Sequence, residues 1–148
     1  MKSVFEKTTR DNLISRAGQL TQNSTAQWGK MNVCQMMKHC RLADEMFLGK
    51  KKYNRVFIGL ILGRMGLKQL LKDEKPMPHN SPTGSALKIK ESDLNFSDEK
   101  EKWVAVINEY GNFSNPDFVH WFFGKMTEEQ VGRFVYKHLD HHLRQFGV

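Results

Sequence analysis

The chain has 148 residues, of which 39% are hydrophobic and 26% charged, proportions that are typical of one globular domain. Its formal net charge of +7 permits binding to nucleic acid or to an anionic surface without requiring either. The composition excludes a collagen, a coiled coil and a disulfide scaffold. A transmembrane protein is excluded because the longest apolar run, residues 56–62, is far shorter than the about 20 residues that a membrane span needs.

The first two helices are marked by apolar side chains at helical spacing. Residues 8–22 predict helix one, and a polar segment follows it. Asn32 and Gln35 have the spacing of a capping box, so helix two begins at residue 33, and Gly49 ends it after residue 48. The apolar stripe of helix two consists of Met36, Cys40, Ala43 and Phe47.

The region after helix two is harder to interpret from sequence. Residues 53–72 are apolar but contain three glycines, each of which costs about 1 kcal/mol relative to alanine in a helix, so we expect only partial helix there. The segment is expected to cover the mouth of a helical bundle, the alternative being an amphipathic helix on a membrane surface. Residues 75–86 hold three of the four prolines and predict a long loop or lid.

Two further helices complete the predicted fold. Ser97 and the acidic residues after it mark the start of helix three, and Gly111 marks its end. After an aromatic connector over residues 112–126, Thr127 and Gln130 form a second capping-box pattern, and helix four extends to about residue 145. No segment shows the alternation of a β-strand. The sequence therefore predicts an all-α four-helix bundle, a single domain over residues 1–148, with a long loop or lid segment between helices two and three.

Helix four carries a candidate metal site. His138 and His142 are one turn apart, so both project from the apolar face toward the core, whereas His141 falls at the rim of that face and Asp140 on the solvent side. His39 lies at the edge of the apolar face of helix two and can meet the pair across a bundle. Three imidazoles with open coordination positions suit a catalytic ion such as Zn²⁺, Ni²⁺ or Fe²⁺. The alternative is a group of core histidines that are hydrogen-bonded to their neighbours.

Two segments resemble the DinB/YfiT-like proteins. Residues 122–148 resemble the last helix of that family, which shows a G-x-[LM]-[ST]-x-x-[EQ] entry followed by H-x-x-[RH]-H-x-x-Q. Residues 28–46 resemble its second helix, in which the single metal-binding histidine aligns with His39. The likeness is greatest to a branch of unknown function whose members end in HLDHHLRQFG. The matching motif residues of the last helix are Gly124, Met126, Thr127, Gln130, His138, His141, His142 and Gln145.

The resemblance implies a fold, a cofactor and an activity. It implies a DinB-like four-helix bundle in which His39, His138 and His142 hold a divalent metal ion (Zn, Ni, Fe or Mn). It further implies a metal-dependent enzyme that transfers a low-molecular-weight thiol to a small electrophilic substrate, and His120 is the candidate catalytic residue that assists proton transfer. The resemblance is also compatible with a homodimer.

A second function class stays open beside the enzyme. The chain would then be a non-catalytic metal-binding or stress-associated module, its site packed shut by Met36, Met46 and Phe134. Binding to nucleic acid through the net positive charge is a weaker alternative that we do not expect. The two cysteines, eight methionines and the lack of an apolar leader at the start predict a cytoplasmic protein without membrane association.

Overall fold

The computed structural model describes residues 1–148 and is mostly helical, which confirms the predicted all-α class. A two-stranded antiparallel sheet, in which His120 pairs with Gly124, is not predicted by the sequence pattern. Two 3-10 helices lie at Ser85–Leu87 and Tyr110–Asn112. The helices and strands are α1 (Lys7–Gln19), α2 (Val33–Phe47), α3 (Phe57–Leu70), α4 (Phe96–Glu109), β1 (Val119–His120), β2 (Gly124–Lys125) and α5 (Glu128–Gln145).

Side-chain hydrogen bonds cap the starts of three helices, α2, α4 and α5. Both predicted capping boxes are present, at Asn32 before α2 and at Thr127 before α5. Helix α4 begins one residue before the predicted Ser97, because the side chain of Asn95 accepts a hydrogen bond of 3.0 Å from the backbone N–H of Asp98. No helix is long and apolar enough to cross a membrane.

Four helices enclose the core. Helix α2 packs against α4 and α5, and α1 packs against the same two helices on the other side. The predicted apolar stripe of α2 is buried over its whole length. Asp44 lies fully buried between α2 and α4, where Trp103 Nε1 and the Tyr110 hydroxyl donate hydrogen bonds of 3.2 and 2.9 Å to its two oxygens.

Residues 57–70 form a continuous α-helix, which corrects the expectation of only partial helix in that segment. Two of its glycines face the backbone of the β1–β2 hairpin. A Cβ atom at Gly59 would lie 2.5 Å from the Phe122 carbonyl oxygen, and one at Gly63 would lie closer still. Close packing of helix on hairpin therefore offsets the cost of glycine in a helix.

Asp140 is buried, which contradicts its predicted position in solvent. Arg16 Nη1 donates a hydrogen bond of 2.8 Å to one of its oxygens, and Arg144 Nε donates one of 2.7 Å to the other. His141, predicted at the rim, is buried as well. The helical periodicity of α5 alone does not predict that α1 covers the face opposite the histidines.

Candidate metal centre

The structure brings together the three histidines that the sequence singled out. His39 of α2 and His138 of α5 approach each other until their Nε2 atoms are 3.2 Å apart. One ring nitrogen from each of His39, His138 and His142 lies within 4.8 Å of the others. The three rings thus converge on a single point between α2 and α5.

Hydrogen bonds hold two of these rings by their outer nitrogens. Nδ1 of His39 lies 2.9 Å from the Leu87 carbonyl oxygen, which can only accept, so this nitrogen donates. Nδ1 of His142 lies 2.8 Å from Oε1 of Gln145, and the Gln145 amide N–H₂ donates a bond of 2.7 Å to the Trp28 carbonyl oxygen. Because that second bond fixes the amide orientation, Nδ1 of His142 is also the donor. Both rings therefore present the lone pair of Nε2, as metal-binding histidines do.

The third ring is held by packing instead. His138 stacks on the ring of Phe134, with centroids 6.0 Å apart and an interplanar angle of 11°. Its Nδ1 atom is buried and has no hydrogen-bond partner. The separation of 3.2 Å from His39 fits a direct hydrogen bond between the rings. It is also close to the distance expected between two nitrogen ligands of one tetrahedral ion. That distance is about 3.3–3.4 Å when each metal–nitrogen bond is about 2.0–2.1 Å long.

Burial keeps the triad uncharged. Desolvation, with a smaller contribution from the neighbouring His39, lowers the pKa of His142 to about 3. Desolvation likewise lowers the pKa of His138 well below its ordinary value and, to a lesser extent, that of His39. Each imidazole is neutral at neutral pH, which is the form that binds a metal ion.

The triad opens into a cavity of about 520 Å³. Its walls are formed by α2, α3, α5, the proline-rich loop and the hairpin, and they contain no Lys, Arg, Asp or Glu side chain. Met46 and Phe134 line the space without filling it, whereas Met36 belongs to the core and does not reach it. A small molecule of low charge therefore fits beside the histidines.

His120, the predicted catalytic residue, lines the same cavity and is buried. Its Nδ1 atom accepts hydrogen bonds of 3.1 and 3.2 Å from the backbone N–H groups of Phe122 and Phe123, so the neutral ring carries its proton on Nε2. Burial lowers the pKa of His120 to about 3, with a smaller contribution from the positive charge of Arg55. The ring is thus a hydrogen-bond donor toward the cavity at neutral pH.

The other two histidines pack against Trp28. The ring of His79 is exposed and stacks on Trp28, with centroids 3.8 Å apart. His141 lines the cavity and packs edge-on against the same Trp28 ring. Neither belongs to the convergent triad.

Sequence reasoning missed the groups that orient the triad. Gln145 belongs to the motif of the last helix, but the motif does not predict its contact with His142. The carbonyl groups of Leu87 and Trp28 leave no signal in residue type, because every residue has one. The one sequence signal for this contact is the glycine at position 29. Its φ is 82°, and a Cβ atom there would lie 2.5 Å from the Gln145 amide nitrogen.

Comparison with known proteins identifies a family without an assigned activity. Residues 3–147 match the family described as "Protein of unknown function (DUF1569)", and the chain belongs to this family. No curated protein and no solved structure matches the chain. The DinB/YfiT-like resemblance accordingly stays a prediction.

Proposed function

We propose that this member of the DUF1569 family is a DinB/YfiT-like enzyme that uses one divalent metal ion to transfer a small thiol to an electrophile. The observation that carries the proposal is the convergence of three neutral imidazoles on the wall of an uncharged cavity. His39, His138 and His142 would hold the ion. The packing of α1, α2, α4 and α5 around one core supports the proposed DinB-like bundle.

The donor set fits a transition-metal ion. Nitrogen ligands favour Zn²⁺, Ni²⁺ or Fe²⁺ over Mg²⁺ and Ca²⁺, which prefer oxygen, and Mn²⁺ is the least favoured of the four predicted metals. Three protein ligands leave at least one position free, as in catalytic zinc sites. An ion held there would supply a Lewis acid that lowers the pKa of a thiol bound to it.

The chain's own groups prepare the site for that chemistry. Leu87 and Gln145 fix which nitrogen of His39 and His142 faces the ligand, so that no rotation is needed on binding. The apolar walls exclude water and strengthen each electrostatic interaction inside them. The reaction exchanges a thiol S–H bond and a carbon–leaving-group bond for a carbon–sulfur bond and a protonated leaving group. The Nε2–H of His120 is suited to hydrogen-bond the substrate or the departing group.

The uncharged cavity restricts the substrate. Away from the ion, a carboxylate or phosphate would find no Lys or Arg side chain to pair with, and burying an unpaired charge is costly. Apart from the sulfur that would bind the ion, we therefore expect the part of the substrate inside the cavity to be neutral and apolar. A charged thiol would have to keep its charged groups at the mouth.

The alternative is a non-catalytic metal-binding or stress-associated module. One observation favours it: His39 and His138 are close enough to hydrogen-bond to each other directly. The triad would then be a structural cluster, or would hold an ion without turnover.

Metal content is the first test. We expect about one ion per chain by elemental mass spectrometry, and none in the double variant His138→Ala/His142→Ala. The variant His79→Ala, which changes an exposed histidine outside the triad, should keep the ion. An absence of metal after reconstitution with zinc, nickel, iron and manganese would contradict the proposal.

Activity is tested next on the loaded protein. We expect metal-dependent formation of a thioether from 2-mercaptoethanol and 1-chloro-2,4-dinitrobenzene, followed by absorbance. Bound metal with no transfer of this or other neutral thiols to neutral electrophiles would favour the non-catalytic module.

A further inference from the structure

Helix α3 is turned so that its bulky apolar side chains face outward. Its buried residues are Gly59 and Gly63, which lie against the hairpin, and Leu67, which belongs to the hydrophobic core. Phe57, Ile61 and Met65 are 76%, 63% and 66% exposed. Ile58, Leu60 and Leu62 are exposed as well. A helix that met only water would have the reverse arrangement, so this face is built for an apolar surface.

The segment that contains α3 also carries the excess charge of the protein. Residues 50–72 contain seven Lys and Arg side chains and no Asp or Glu, which equals the net charge of +7, so the rest of the chain holds 16 charges of each sign. Lys50 and Lys51 pair with Glu109 and Glu45. The other five make no ion pair: Lys52, Arg55, Arg64, Lys68 and Lys72.

A cationic cleft continues the same surface. Arg64, Lys68 and Lys72 of α3 line it on one side, and Lys125 and Arg133 line it on the other. Its single acidic residue, Glu129, forms an ion pair with Arg133. The cleft is about 780 Å³ in volume.

We propose that this surface docks the protein on an anionic lipid bilayer. The exposed apolar side chains of α3 enter the boundary between headgroups and acyl chains, and the cationic cleft receives lipid phosphates. Interfacial helices combine apolar and basic residues in this way. The proposal needs no spanning segment, and none is present. It does not depend on the proposed enzyme activity.

Charge favours lipid over a second copy of the chain. A two-fold dimer through this face would bring two cationic clusters together, and Glu129, which already pairs with Arg133, is the only acidic side chain that lines each cleft. The sequence favoured α3 as a cover over the bundle and predicted no membrane association. In the structure, the face of α3 that contains Gly59 and Gly63 covers the hairpin, and the face that contains Phe57, Ile61 and Met65 has no partner.

Vesicle binding tests the proposal. We expect the full chain to cosediment with vesicles of phosphatidylcholine and phosphatidylglycerol, more weakly as salt is added, and not with phosphatidylcholine alone. Ile61→Glu should weaken binding about tenfold or more, since it places a charge in the apolar face. Lys68→Glu/Lys72→Glu should do the same through the headgroups. The control Lys88→Glu/Lys102→Glu, with the same charge change on exposed residues elsewhere, should weaken it far less.

Three results would overturn the proposal. The first is no binding to anionic vesicles at low salt. The second is a dimer, detected by light scattering, that Ile61→Glu converts to a monomer, with neither the dimer nor the monomer binding to vesicles. The third is binding to duplex DNA without binding to vesicles. Circular dichroism checks that each variant is folded, and the lysine pair keeps the test valid if Ile61→Glu does not fold.

Discussion

The side-chain oxygen of Gln145 lies 2.8 Å from Nδ1 of His142, while the nitrogen of the same amide donates to the backbone of Trp28. A ligand of the proposed metal site is therefore oriented by a residue that is itself held by a segment far away in sequence. Gln145→Ala removes this support and leaves the three histidines in place. We expect metal affinity to fall about 10- to 100-fold, measured by competition with a chelator. Gln69→Ala, on the exposed side of α3, should not change it, and equal affinities would contradict the orienting role.

His120 provides a test of pH dependence. Its pKa is lowered to about 3 in the folded protein, below the ordinary value of 6.5. Its contribution to stability is therefore complete above pH 6.5 and is lost as pH falls toward 3. His120→Asn places an oxygen acceptor near the position of Nδ1 but does not titrate there, so we expect a smaller loss of unfolding free energy between pH 6.5 and 4. Denaturant titrations at several pH values would show this, and an unchanged slope would contradict it.

A second variant at the same position separates charge from hydrogen bonding. His120→Phe keeps an aromatic ring but leaves the N–H groups of Phe122 and Phe123 without an acceptor. We expect it to lose about 1–3 kcal/mol of stability at pH 7.5, where His120→Asn loses less. Equal losses in the two variants would show that Nδ1 is not an essential acceptor.

Asp44 should show the opposite dependence on pH. Burial raises the pKa of this carboxyl from 3.8 to about 7, against the lowering effect of hydrogen bonds from Tyr110 and Trp103. The folded state then holds a proton that the unfolded state has lost, so this contribution is complete below pH 3.8 and disappears as pH rises through 7. Relative to wild type, Asp44→Asn should gain stability from about pH 4 to 7 and then level off. Urea unfolding of both proteins, with Glu101→Gln as an exposed control, measures the difference.

The ion pair between Arg16 and Asp140 should matter for stability and not for metal binding. Both side chains are largely buried, and Asp140 also accepts from Arg144. Asp140→Asn leaves Arg16 with a buried charge, so we expect a loss of about 2 kcal/mol in chemical denaturation. Because this pair lies on the face of α5 opposite the histidines, metal stoichiometry should stay the same. A loss of metal together with stability would contradict that separation.

Two glycines of α3 form a matched pair of substitutions. Gly63→Ala adds a methyl group that collides with the Phe122 carbonyl, whereas Gly66→Ala meets only ring carbons at 3.8 Å. We expect Gly63→Ala to lose about 1–3 kcal/mol by overpacking, and Gly66→Ala to gain up to about 1 kcal/mol from helix propensity. Thermal unfolding of the two variants decides between them, and a gain at residue 63 would show that α3 can move away from the hairpin.

Features that depend on neighbouring residues were predictable from the sequence. The caps at Asn32 and Thr127 follow from spacings of three residues, and the shared direction of His138 and His142 follows from helix periodicity. His39 could be added because its helix has a clear apolar face. The partners of these residues were not predictable in the same way. Helix periodicity predicts Asp140 in solvent, because its partner Arg16 lies 124 residues away.

The glycines of α3 show why the helix itself was underestimated. Propensity counts the cost of Gly59 and Gly63 within the segment, but the compensating contact is with Phe122 on a distant hairpin. Sequence patterns likewise identify the apolar residues of α3 without showing which of them face outward.

The separation of charge in this chain has a kinetic consequence. With the excess positive charge in residues 50–72 and the remainder balanced in number, the excess charge lies on the side of the molecule that contains α3. Near a negatively charged surface, such a molecule turns before it makes contact, over distances of about a Debye length, roughly 8 Å at physiological salt. Most encounters with the surface would then occur in the docking orientation. The rate of association would fall as ionic strength rises, and this would also hold for variants that keep the net charge of +7.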